Sequence, residues 1–152
     1  MPSFAGDPRH ERLAAVLVPL LRRACPPGGG GYGGSYELRL GVDEAEALGG
    51  VDLIRSAMRK AARSVGWSRL QTYGGTFPHV AMAGVTDRRD VPEEFAVAVE
   101  EYQMARMRAA VDTVSRKRED GRTRAVPGSV YLTPQEFRAA LAEAEDPTGR
   151  LG

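Results

Sequence analysis

Residues 51–85, VDLIRSAMRKAARSVGWSRLQTYGGTFPHVAMAGV, decide the architecture, because a helix, a glycine stop and two strands follow one another within them. At about 100° per residue, Ile54, Ala57, Met58, Ala61 and Val65 share one arc, with Val51 and Ala62 at its margin. Arg55, Arg59, Lys60 and Arg63 share the opposite arc. The pattern predicts a helix over 51–65 with one face buried and the other basic, ended by Gly66. Trp67–Tyr73 then reads as a strand and Phe77–Val85 as another, joined by Gly74-Gly75 as a tight-hairpin dipeptide. The later strand is apolar on both faces, Phe77, Ala81 and Val85 alternating with Val80 and Met82, so it belongs in the middle of a sheet. Arg69, Gln71 and Thr72 mark the earlier one as an edge, and Pro78 belongs near a strand start or a bulge.

Working outward, Tyr36, Leu38, Leu40 and Val42 alternate with Glu37, Arg39 and Gly41, a half-buried strand beginning at Ser35. Asp43–Leu48 allows one helical turn before Gly49-Gly50, and Asp52 caps the basic helix or lies in its first turn. On the other side, Asp90 and Glu93 form a capping-box pattern opening a long helix that runs to about Arg118. Glu93 and Glu94 at its start and Arg116, Lys117 and Arg118 at its end suit the helix dipole. The order strand–helix–strand–strand–helix predicts an α+β fold. Its sheet is small, mainly antiparallel and three-stranded, with the third strand in the centre and a long helix beside it.

The flanks are expected as appendages to this core at 35–120. In residues 1–25, Asp7 caps a helix with Pro8 in its first turn, Leu13, Val16, Leu17 and Leu20 or Leu21 supply a buried stripe, and Pro19 marks a weak point. Residues 26–34, PPGGGGYGG, read as a tether. Gly28–Gly33 satisfies the dinucleotide spacing G-x-G-x-x-G, but it follows a helix and precedes a strand, the reverse of the phosphate-binding context. Residues 121–152 give a loop over 121–129, a capping box at Thr133–Glu136 opening a short helix with Phe137, Leu141 and Ala144 on one face, and a frayed tail after Asp146-Pro147.

Composition narrows the functional classes. The chain has 152 residues and a net charge of +1, which excludes a histone-like polycation. Charge is uneven: residues 51–90 hold seven Lys/Arg against three Asp/Glu, and 91–121 hold five against seven. Cys25 is the single cysteine, so no internal disulfide forms and a reducing, cytoplasmic setting is expected. The apolar run Leu13–Leu21 is too short for a membrane span, and Arg22-Arg23 occupy the place of a signal-peptide cleavage site. No membrane partner is expected.

The catalytic inventory is thin. His79 falls in a predicted strand and His10 far away in sequence, Cys25 has no visible base, and Glu93-Glu94 and Glu100-Glu101 point apart around their helix. No catalytic, metal or cofactor site is predicted, and the chain is expected not to be an enzyme.

Two binding functions remain. In the first, the chain is a non-enzymatic assembly or regulatory protein, self-associating through the long helix at about 91–118, most simply as a dimer. Phe95, Val99, Tyr102 and Ala109 form one apolar side of that helix; Val97, Met104, Met107, Val111 and Val114 form another, at heptad-like spacing broken by Glu100. The terminal helices offer further surfaces for a protein partner. In the alternative, Arg55, Arg59, Lys60 and Arg63, joined by Arg69, Arg88 and Arg89, contact phosphates of DNA or RNA. No base-reading motif accompanies them.

Overall fold

A computed structural model describes residues 4–120 and 133–145. The chain orders as α1 (Pro8–Arg23), β1 (Ser35–Leu40), α2 (Val42–Ala47), α3 (Val51–Ser64), β2 (Leu70–Thr76), β3 (Ala81–Asp87), α4 (Glu93–Asp120) and α5 (Thr133–Glu145). The three strands form one antiparallel sheet in the order β1-β3-β2, with β3 central as expected, although Phe77 and Val80 of its apolar pattern fall in the turn before it. The loop expected at 121–129 and the tail after Asp146 lie outside the described residues.

One face of the sheet is the core face. Tyr36, Leu38 and Leu40 of β1 stand opposite Val85, Ala83 and Ala81 of β3, and all six are buried. Over them lie α1, α3 and α5 in a single apolar cluster. Helix α3 touches the sheet on one side and α1 on the other, so its buried arc is wider than the spacing suggested. Leu53 and Ala62 are buried along with Ile54, Ala57, Met58 and Ala61. Helix α1 is capped by Asp7, which accepts from Arg9 N at 2.9 Å, and it runs through Pro19, whose ring lies on the exposed side. It buries Leu13, Val16, Leu17, Leu20 and Leu21 within this same chain, mainly against α3. Phe137 brings α5 into the cluster, and Arg138 clasps Glu44 of α2.

The hairpin departs from its expected position. Gly74 and Gly75 are ladder residues of β2, opposite Ala83 and Met82, and neither has the positive φ that a two-residue turn needs. The chain reverses over Phe77–Val80 instead, closed by Phe77 N donating to Val80 O at 2.8 Å. Pro78 has no N–H to contribute to a ladder and is tolerated at the reversal. His79, expected inside the third strand, is exposed there. The glycine at 74 serves close packing: a Cβ on it would lie 2.5 Å from Met82 O and 3.1 Å from Val51 of α3.

The Gly/Pro-rich stretch is irregular, as expected of a tether, but it is pinned at many points. Gly29 N donates to Pro26 O, Tyr32 N to Gly29 O and Asp87 N to Gly34 O. Arg89 holds the loop through Gly31 O at 3.0 Å, with its guanidinium carbon 4.6 Å from the centre of the Tyr32 ring. Phe95 and Val99 of α4 rest on it: a Cβ at Gly30 would meet the Phe95 ring at 2.6 Å, and one at Gly33 would meet Val99 at 2.7 Å. The loop is therefore the footing of α4. That footing places α4 beside the outer face of the sheet, away from the core helices, where Tyr102 and Arg106 look onto Ser35, Glu37, Tyr73 and Thr86.

Candidate functional site

Helix α4 presents one apolar side inward and one outward. Val99 and Ala109 are buried. On the other side Val97, Met104, Met107, Val111 and Val114 are between 41% and 69% exposed, so the whole predicted seam lies open on the surface. Phe77 is the other large apolar side chain exposed among the described residues. Glu100 interrupts the seam, Glu101 and Arg108 flank it with opposite charges, and Arg106 faces the sheet.

The basic residues do not converge. Arg55 and Arg59 bend toward the free edge of β2, where both donate to Thr72 Oγ1, at 3.3 and 3.0 Å. Arg55 also donates to Thr72 O and lies 3.9 Å from Asp52, while its Nε is buried without a hydrogen-bond partner. Lys60 points the other way and pairs with Glu11 of α1. Arg63 and Arg69 are exposed. Arg88 donates to Gln71. Arg89 is bound to the buried Asp87 carboxylate, which raises the Arg89 pKa further, and it secures the glycine loop. Of the seven, Arg55 and Arg59 are brought together by Thr72; the others have separate attachments or stand alone. An arginine reaches several ångströms from its helix, and neighbours distant in sequence decide where it ends.

Between α4 and the outer sheet face is an open groove of about 420 Å³ that sequence spacing did not show. Ser35, Glu37, Tyr73 and Thr86 floor it; Tyr102, Gln103, Arg106 and Met107 wall it. Tyr73 donates its hydroxyl to Glu37 Oε1 at 3.1 Å, and Arg39 Nε donates to Glu37 Oε2 at 2.9 Å. Burial first, and the Glu37 carboxylate second, push the Tyr73 hydroxyl up to about 12. Arg106 donates to Ser35 O at 3.4 Å. Strand alternation hinted at this polar face, since Glu37 and Arg39 interleave with the core residues of β1. The covering helix could not be foreseen.

A second polar arrangement ties α1 to α3. His10 is buried, its Nε2 lies 3.0 Å from Ser56 Oγ, and its Nδ1 lies 3.8 Å from Glu11 Oε1. Serine, histidine and carboxylate are in the order of a nucleophilic triad, but Ser56 sits in mid-helix, where backbone N–H groups are already bonded within α3 and none is available to hold an oxyanion. The contact works as a part-buried hydrogen bond between helices. Cys25 accepts from Trp67 Nε1 at 3.2 Å, and burial pushes its thiol up, away from the reactive thiolate. Among the described residues no three His, Cys, Asp or Glu side chains could hold a metal ion, and no helix is long and apolar enough to cross a membrane. No protein-family model, curated protein or solved structure matches the chain.

Proposed function

We propose that the chain is a non-enzymatic assembly or regulatory protein of the cytoplasm, acting as a homodimer joined through α4. The observation that carries this reading is the exposure of Val97, Met104, Met107, Val111 and Val114 together, at heptad-like spacing, on one side of one helix. A Val/Met strip of that length is unusual on the surface of a monomer. The occupant we assign to it is a second copy of α4. Beside the seam the helix carries acidic Glu101 and, seven residues on, basic Arg108, so two copies can complement each other in charge as well as in apolar surface. The apolar faces of α1 and α5, the other candidate docking elements, are engaged in the chain's own core. The seam spans about 26 Å of helix, short enough for a dissociation constant on the order of micromolar.

Light scattering over a concentration series tests the reading. The native chain is expected to approach twice the protomer mass, and Met104→Glu to remain at the protomer mass with an unchanged circular-dichroism spectrum. A native chain that stays monomeric at all concentrations would overturn it.

A further inference from the structure

The direction of the pairing is also written in α4. Resting on the self-association proposed above, we infer that the two α4 helices run antiparallel, with Val97 level with Val114 of the second copy, Met104 with its Met107 and Glu100 with its Val111. Two features favour this arrangement over a parallel pair, and a third follows from it.

The first is Glu100. It occupies the seam position three residues after Val97, among exposed apolar side chains, and is itself exposed. In a parallel, in-register pair the two Glu100 carboxylates would face each other within one layer, a like-charge contact in a site that the pairing dries. Running antiparallel, each Glu100 meets Val111, and the two carboxylates stand about 16 Å apart along the axis. The second is the flanking charge. Residues flanking an antiparallel seam meet residues of their own kind of position, which brings Glu101 of one copy within two residues of the level of Arg108 of the other. A parallel pair sets the acidic half beside the acidic half.

The third concerns the groove beside the seam. Gln103 and Met107 help to line it; Gln103 lies on one flank of the α4 seam, and Met107 is a seam residue on the side of that flank. Antiparallel pairing puts the like flanks of the two helices together, so the two grooves open on the same side of the dimer, on either side of the two-fold axis. Parallel pairing would send them to opposite sides. The antiparallel dimer thus presents a continuous polar face in which Glu37, Tyr73 and Arg106 occur twice.

Cross-linking tests the direction. In a Cys25→Ala background, Val97→Cys and Val114→Cys are prepared separately, checked by circular dichroism, weighed by light scattering, and oxidised alone and as an equimolar mixture. Both sites are exposed in the protomer, so the substitutions leave its core intact. The mixture is expected to give a disulfide-linked dimer of one chain of each kind, several-fold more abundant than any dimer from either variant alone. Efficient linkage of each variant to itself would overturn the antiparallel direction in favour of a parallel one. Dimer mass before oxidation with no linkage in any sample would overturn the register and leave self-association standing. Protomer mass before oxidation would remove self-association itself.

Discussion

Arg138 of α5 holds both carboxylate oxygens of Glu44 on α2, Nε to Oε2 at 2.8 Å and Nη2 to Oε1 at 2.9 Å. This paired contact fastens the last described helix to the far end of β1. It holds the Glu44 carboxyl below its ordinary value of 4.5, mainly through the Arg138 hydrogen bonds. A carboxyl whose pKa is lowered by folding stabilises the fold above its unfolded value and loses that contribution as pH falls through the folded one. Both side chains remain partly exposed, so Arg138→Ala is expected to cost no more than about 1 kcal/mol at pH 7. Urea unfolding of the native chain and the variant should show the full difference at pH 7 and a progressively smaller one as pH falls below 4.5 and through the lowered value of the folded carboxyl.

The glycine loop gives a sharper contrast. A Cβ at Gly34 would lie 2.2 Å from the ring of Trp67, itself buried, so Gly34→Ala must move the indole or the loop. A loss of about 3 kcal/mol is expected. At Gly31 nothing lies within 4 Å, and the φ of +87° alone opposes a side chain. Gly31→Ala is expected to cost about 1 kcal/mol. Thermal unfolding monitored by Trp67 fluorescence ranks the two; equal losses would mean that the loop is not packed as described.

Core and seam separate in the same kind of measurement. Leu17 is fully buried between α1 and its neighbours, and Leu17→Ala is expected to cost about 3 kcal/mol of folding stability. Met107→Ala removes a side chain that is 69% exposed. It should leave protomer stability within about 0.5 kcal/mol of the native value and weaken dimerisation several-fold in sedimentation equilibrium.

Phosphate binding is expected to be feeble. Arg55, Arg59, Lys60, Arg88 and Arg89 already donate within the chain, and exposed Arg63 and Arg69 are few for a footprint. Salt-titrated binding to duplex DNA and to RNA should give no measurable complex near 0.15 M salt, where about two phosphate contacts contribute little. Retention at that salt, abolished by Arg63→Glu with Arg69→Glu, would favour the nucleic-acid reading over this expectation.

What the sequence disclosed is what depends on short-range periodicity. The central place of β3, the buried stripe of α1 and the outward stripe of α4 follow from periods of two and 3.6, which survive any tertiary arrangement. Leu53 escaped notice because a helix with two neighbours buries more than the single arc its strongest spacing marks. Gly74-Gly75 matches a hairpin dipeptide in sequence, but a glycine pair makes that turn only when its φ angles are positive; here both keep strand geometry, and the missing side chain at Gly74 admits Val51 and a strand carbonyl. The basic face of α3 dispersed because Thr72 and Glu11, both remote in sequence, supply the partners. Nothing local in PPGGGGYGG announces that Phe95 and Val99 will sit on it, nor that α4 will close a groove over Glu37 and Tyr73.

Val97 and Val99 stand two residues apart on α4, which turns them about 200° from one another. Because Val99 is held against Gly29 and Gly33, Val97 and every seam residue in phase with it must face away from the body. The glycine run thereby sets the compass bearing of the surface on which a second chain would land. One residue inserted between Val99 and Met104 would rotate the later seam residues by about 100° relative to Val99 while leaving the composition of the helix almost untouched. The number of residues between Val99 and the later seam positions is therefore a steering angle as much as a length.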